Sequence, residues 1–211
     1  MELDLAGILA ELAQDRPIFW DEQDFQLAVA RQVRLRHPEA KVRPEAEPGP
    51  LPGSHLDLLI RVGERRAAVE LKYLRAAFCG TVAGERYELK NHQARDIRRH
   101  DVVKDVTRVE TLLSAGYAHD GYVVALTNDP RYWLPGTGPD TNGEAFRIHE
   151  GCLLTGTLAW ASRAAAGTTK GRNTPLALAG QYECQWRNYS SVRDDSGKVA
   201  LLRYLLLAVN T

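Results

Sequence analysis

Apolar residues along the chain follow two periods. Leu5, Ile8, Leu9 and Leu12 recur at the three- and four-residue spacing of a helix, which Pro17 ends. Asp21 stands where a second helix would be capped, with Glu22 and Asp24 in its first turn, where acids suit the helix dipole. Phe25, Ala28, Val29 and Val33 form the buried stripe of that helix, and Glu22 sits at the edge of the same face. His37-Pro38 breaks it. Residues 41–45 then read as a short strand, and the Pro/Gly-rich stretch 48–53 as a loop. The clearest local pattern follows: HLDLLIRV and RRAAVELKYL flank Gly63-Glu64, two apolar-rich runs joined by a two-residue turn with glycine first, as a type II′ hairpin prefers.

Beyond the hairpin, residues 75–88 show no period. A long helix is expected from about Asn91 to Ser114, where Val102, Val103, Val106, Val109 and Leu113 recur at three and four, and Gly116 fits a C-cap. GYVVALT, residues 121–127, is a continuous apolar run suited to a strand buried on both faces. Residues 129–145 read as a long loop, 152–166 as ambiguous with a helical lean, and 168–174 as a polar loop. Residues 181–189 and 201–209 read as two strands joined by a turn at 194–197. The order helix, strand, strand, strand, helix, strand, then a C-terminal β extension, predicts a mixed α/β domain around a central sheet.

Composition narrows the class without naming a function. The 211 residues, 44% hydrophobic and 26% charged, suit one globular domain over 1–211. No apolar run reaches the length of a membrane helix, and the acidic N-terminus lacks the basic start of a signal peptide. Cys79, Cys152 and Cys184 show no metal-ligand spacing and read as reduced thiols of a cytoplasmic protein. The formal net charge is zero but uneven: residues 1–30 hold seven acids and one base, whereas 31–110 hold 17 bases and 12 acids. An electropositive middle third permits a polyanionic partner.

The candidate chemistry lies on the hairpin. With the turn at Gly63-Glu64, Val62 opposes Arg65 and, counting outward, Asp57 opposes Glu70. Lys72 is two residues further and on the same face. Opposed carboxylates repel unless something offsets them. A hard divalent cation does so, and Mg²⁺ takes one or two carboxylates with waters and a phosphate. The same three residues could also be a surface ion-pair cluster of little energetic weight. Their setting between Leu56 and Leu58, and between Val69 and Leu71, favours a built site.

An acid opening a helix (Glu22 in DEQDFQ), an aspartate on a strand (Asp57 in HLDLLI) and Glu-x-Lys on its partner (Glu70 and Lys72 in AVELKY) resemble the PD-(D/E)xK nuclease superfamily. The element order over about 20–128 is similar to that superfamily's αβββαβ restriction-endonuclease-like core, leaving about 129–211 as the extension. YELKNHQARDIRRHDVVKDVTRVE resembles the helix of an uncharacterised, prokaryotic branch. The resemblance implies a phosphodiesterase in which Asp57, Glu70 and the Leu71 carbonyl hold Mg²⁺ (or Mn²⁺), Lys72 positions or activates water, and Glu22 adds an acid. Leu56 stands where the named motif has proline. Nucleic acid, DNA before RNA, is the implied partner, and a homodimer would suit cutting both strands of a duplex. The alternative is an inactive nuclease-like module that binds nucleic acid or a protein.

Secondary candidates follow from the long helix. Arg95, Arg98, Arg99, Lys104 and Arg108 could track a phosphate backbone, with Arg95, Arg98, Lys104 and Arg108 the leading contacts. Asp101 and Asp105, one turn apart, could face the site or solvent, whereas Asp96 and Glu110 read as solvated. His55 shares a strand face with Asp57; His92 and His100 flank the helix and are expected to face solvent. Tyr73, Tyr87, Trp133, Trp186 and Tyr189 could stack on bases but, at strand positions, read first as core. GTTKGRN lacks P-loop spacing.

Overall fold

Two caps start the N-terminal helices where their sequence places them. The Asp4 carboxylate accepts from Gly7 N to open α1 (Leu5–Asp15), and that of Asp21 accepts from Asp24 N to open α2 (Glu22–Arg36). In the structure, a computed structural model describing residues 3–136 and 142–210, β1 (Lys41–Ala46), β2 (Leu56–Val62) and β3 (Arg65–Leu74) follow. The hairpin turn has a positive φ at Gly63 (59°), which glycine adopts without the steric cost a Cβ imposes. Its register runs from Val62↔Arg65 to Leu58↔Val69, as the two-residue turn dictates.

Four departures from the sequence reading have local causes. Residues 75–88, read as irregular, contain the hairpin β4 (Phe78–Val82) and β5 (Glu85–Leu89), turned at Ala83-Gly84 with both φ values positive. An alanine in that conformation hid the turn signal. Residues 152–166, read with a helical lean, contain strand β7 (Leu153–Leu158). Residues 166–169, which straddle the end of the ambiguous stretch and the start of the polar loop, form one helical turn, α4 (Ala166–Thr169). The expected strand at 181–189 is two strands, β8 (Leu176–Glu183) and β9 (Trp186–Arg193), because the chain passes from a small outer hairpin to the central sheet at Cys184-Gln185. Within the 129–145 stretch, Glu144–Phe146 form a 3-10 turn; residues 137–141 lie outside the described residues.

α3 (Arg95–Ser114), β6 (Asp120–Thr127) and β10 (Val199–Val209) complete the frame. The central sheet has six strands in the order β1-β2-β3-β6-β10-β9. Only β3 and β6 run parallel; the other neighbours are antiparallel. The sheet is mixed and lies between helices. Leu5, Ile8, Leu9, Phe25, Val29 and Val33 of α1 and α2 bury one face against Leu58, Ile60, Val69, Leu71 and Tyr73. Val102, Val103, Val106 and Val109 of α3 cover the other, over Ala68, Leu74, Val123 and Ala125. β7 and β8 flank α3 on that side.

Two features set helix and termini in place. A Cβ on Gly121 would stand 2.3 Å from Val109 Cγ1, so α3 packs onto β6 through a position only glycine fits. The Tyr189 hydroxyl donates to the Arg16 carbonyl at 2.8 Å and that of Ser190 to the Pro17 carbonyl at 2.5 Å, tying β9 to the segment between α1 and α2. Among the described residues no helix is long and apolar enough to cross a membrane.

Candidate functional site

Strand alternation sends Val69, Leu71 and Tyr73 into the α1/α2 core, so Glu70 and Lys72 face α3. Both are largely or wholly shielded, Glu70 to 1% exposure. The hairpin brings Asp57 alongside, but the strand ladder ends at Leu58↔Val69. Beyond that pair the Asp57 carboxylate replaces a backbone partner, accepting from Leu71 N at 2.6 Å. Gln26, buried on α2, donates to the Asp57 carbonyl and to Glu45, both at 2.7 Å. Glu45 has a positive φ (49°), an uncommon conformation for glutamate, at the edge strand next to Asp57.

Lys72 is the hub. Its ammonium lies 2.9 Å from Asp105 Oδ2, 3.7 Å from Glu22 Oε1 and 3.9 Å from Asp57 Oδ2, and donates to the Leu71 carbonyl at 3.1 Å. Glu22 reaches it from the first turn of α2, where its other oxygen accepts from Tyr73 N at 3.0 Å. Arg108, one turn beyond Asp105, sits 3.0 Å from Glu70 Oε1 and 3.4 Å from Asp105 Oδ1, and donates to the His55 carbonyl. Four elements thus deliver four carboxylates around two cations.

Electrostatics follow from burial and this excess of acid. Burial, then Asp105 and Asp57, push the Glu70 carboxyl up to about 10 against the pull of Arg108 and Lys72. Burial raises Asp105 and Glu22 as well, with Lys72 opposing in each case. For Lys72 burial pulls downward, but Asp105, Glu22 and Asp57 outweigh it and hold the ammonium above its ordinary range. A lysine so held is a fixed positive charge and hydrogen-bond donor rather than a base.

The donor set suits a hard divalent cation in kind: carboxylates and a carbonyl, with negative charge in excess. Glu70 Oε1 and Asp105 Oδ2 are buried without a hydrogen bond, although each has a cation within ion-pair distance. Each expected ligand also has a protein partner: Asp57 the Leu71 amide, Leu71 O the Lys72 ammonium, Glu70 the Arg108 guanidinium. Among the described residues no three His, Cys, Asp or Glu side chains are grouped to surround one ion. A cation bound here would exchange those contacts.

Other candidates divide. Of the five basic helix residues, Arg98 and Lys104 reach solvent, Arg98 lying 3.4 Å from Asp101, whereas Arg99 donates to the Arg131 carbonyl and lies over the Tyr132 ring. Arg95 is tied to buried Asp129 at 2.5 Å, and Arg108 belongs to the cluster, so these two turn inward. Asp105 joins the cluster, whereas Asp101 pairs with Arg98 outside it. Glu110, read as solvated, is buried and accepts from Ala179 N, Gly180 N and the Tyr182 hydroxyl, because β8 packs over α3. His100, expected at the surface, is buried between Phe146 and Trp160; His92 is partly buried against Arg75. Both lie under inserts whose packing no helical period announces. His55 is exposed, 3.9 Å from Glu47. Tyr73, Tyr87, Trp133, Trp186 and Tyr189 are all buried. The inward roles of Arg108 and Asp105 had one usable signal, their i,i+3 spacing on the helix that crosses the hairpin. Compared with protein families, curated proteins and solved structures, the chain matches none.

Proposed function

We propose that this protein is a metal-dependent phosphodiesterase that hydrolyses the nucleic-acid backbone, with DNA as the first substrate to test. Its main support is the convergence of Glu22, Asp57 and Asp105 on Lys72, with Glu70 beside them on Arg108, at the end of a tight hairpin. With Glu70 protonated, three acids against Lys72 and Arg108 leave one negative charge uncompensated in a half-buried place, and ionising Glu70 raises the excess to two. The chain order α2, β1, β2, β3, α3, β6 around a mixed sheet is consistent with a restriction-endonuclease-like core in which β4 and β5 are an insert.

Asp57, Glu70 and the Leu71 carbonyl are the donors that would hold Mg²⁺ or Mn²⁺, which supplies a water of lowered pKa and compensates charge on the phosphate. Lys72, kept cationic by three acids, would donate to an attacking water and face the developing charge on phosphate oxygens. Asp105 fixes the position of the ammonium, and Gln26 fixes the backbone that carries Asp57. Glu22, the most exposed of the four acids, stands at the solvent side.

The test is cleavage of single- and double-stranded DNA and RNA with Mn²⁺ or Mg²⁺. Asp57→Ala, Glu70→Ala and Lys72→Ala are each expected to abolish it, and the shape-preserving Glu70→Gln likewise. Cleavage that survives all of these refutes the assignment. A second reading, a nuclease-like module without catalysis, is favoured by the Arg108–Glu70 and Lys72–Asp105 pairs, which compensate part of the charge internally. Titration calorimetry separates the two: nucleic-acid binding with no uptake of Mn²⁺ near millimolar concentration selects the module.

A further inference from the structure

Beside the carboxylate cluster stands an exposed aromatic that the hydrolytic chemistry does not use. Trp20 is 42% exposed, two residues before Glu22, and is stacked on Tyr87 at a centroid distance of 4.8 Å and an interplanar angle of 25°. Tyr87 is itself buried, and its hydroxyl donates to Glu85 at 2.6 Å, so β5 gives the indole a fixed floor. Trp133 and Trp186 are buried by comparison. The Trp20 backbone is pinned at both ends: its N–H donates to Asp24 at 3.0 Å, and its carbonyl accepts from Arg75 at 2.6 Å.

Arg75 is the second half of this corner. It follows Lys72 by three residues, roughly 10 Å along an extended chain. Its guanidinium bonds to the Trp20 carbonyl and to the ring of His92, at 3.0 and 3.3 Å, and among its hydrogen bonds and ion pairs on the described residues there is no carboxylate. Burial, then Arg75 and Arg98, lower His92 to about 4, so the ring is neutral near pH 7 and leaves the arginine's charge uncompensated. Acids nearby are engaged elsewhere: Asp24 on Arg16 and Trp20 N, Asp21 on Asp24 N, Glu85 on Tyr87. A rigid aromatic platform beside an unpaired guanidinium is the pairing that single-stranded nucleic acid recognises, base on ring and phosphate on cation.

We propose that Trp20 and Arg75 hold one unpaired nucleotide of a single-stranded segment next to the carboxylate cluster, the indole stacking on its base and the guanidinium on its phosphate. This deepens the nuclease reading, on which it rests for the identity of the ligand. A duplex keeps its bases stacked on one another and offers Trp20 nothing to take, so single strands, overhangs or frayed ends are the favoured substrates.

The probe is a fluorescently labelled oligothymidylate, compared by anisotropy with a duplex of equal length, in EDTA so that no cleavage intervenes. Trp20→Ala is expected to weaken single-strand binding about 5- to 150-fold, from the ~1–3 kcal/mol of one stacked base, with little change for duplex. Trp20→Phe keeps most of the affinity and controls for folding. Arg75→Gln is expected to weaken binding and reduce the salt slope by about 0.7. Single-strand affinity unchanged in Trp20→Ala, or absent from the wild type, overturns the inference. Cleavage that persists with Trp20-independent binding would refute this corner and leave the nuclease reading intact. Trp20-dependent binding without cleavage by any metal does the reverse.

Discussion

Glu70→Gln is expected to make the metal-free protein more stable. Glu70 is buried among Asp57, Asp105 and Arg108, and its carboxyl is pushed from 4.5 up to about 10. A carboxyl whose pKa is higher in the fold than in the unfolded chain binds more protons when folded, so its contribution falls as pH rises. That contribution is whole below about pH 4.5 and is lost progressively toward about pH 10. Each pH unit in that window costs about 1.4 kcal/mol, so by pH 7 the loss attributable to Glu70 is on the order of 3 kcal/mol. Glutamine keeps the shape and removes the titration. Arg108 does not become an orphan, because Asp105 and the His55 carbonyl remain. Urea unfolding in EDTA at intervals from pH 5 to 9 measures the effect. The wild type should lose stability across this range, and Glu70→Gln should be more stable at pH 7 with a flatter profile. A variant less stable than wild type at pH 7, or one with the same pH slope, refutes the claim that Glu70 is strained by surplus acid.

Further outcomes follow from the same contacts. Arg108→Met leaves Glu70 and the His55 carbonyl without their donor, while Asp105 keeps Lys72, and is expected to cost about 1–3 kcal/mol, read as a lower urea midpoint. Gly121→Ala drives a methyl into Val109 and should cost about 1–3 kcal/mol by the same measurement; an unchanged midpoint would show that α3 can lift from β6 freely. Arg98→Ala and Lys104→Ala should each lower the salt slope of duplex binding by about 1, while Arg95→Ala should mainly destabilise the fold, since it leaves buried Asp129 with Arg131 as its one cation.

The hairpin and its flanking helices were legible because their signals are local. Gly63 fixes the turn, the turn fixes the register as far as Leu58↔Val69, and period two then places Glu70 and Lys72 on one face; the expected Asp57–Glu70 pair lies beyond the ladder, where the Asp57 carboxylate turns to the Leu71 amide. Asp21 caps α2 and so aims Glu22 from its first turn. What the sequence could not provide was which partner each charge would take. Lys72 chooses Asp105 and Arg108 chooses Glu70 because α3 crosses the strands at one particular height, set by Gly121 against Val109. The same reason hid the roles of Glu110 and His100, whose partners come from β8 and from residues 146–160, far along the chain. The β4–β5 turn failed for a different cause, an alanine where glycine or asparagine would have announced it.

The bonds from Tyr189 and Ser190 to the carbonyls of Arg16 and Pro17 bear on how firmly the segment between α1 and α2 is held. The stretch leading into Trp20 and Glu22 is clasped by a strand 173 residues further along the chain, so its position depends on long-range closure of the sheet as well as on the cap of α2. Tyr189→Phe combined with Ser190→Ala should accordingly leave the stretch around Pro17 more open to limited proteolysis than in the wild type.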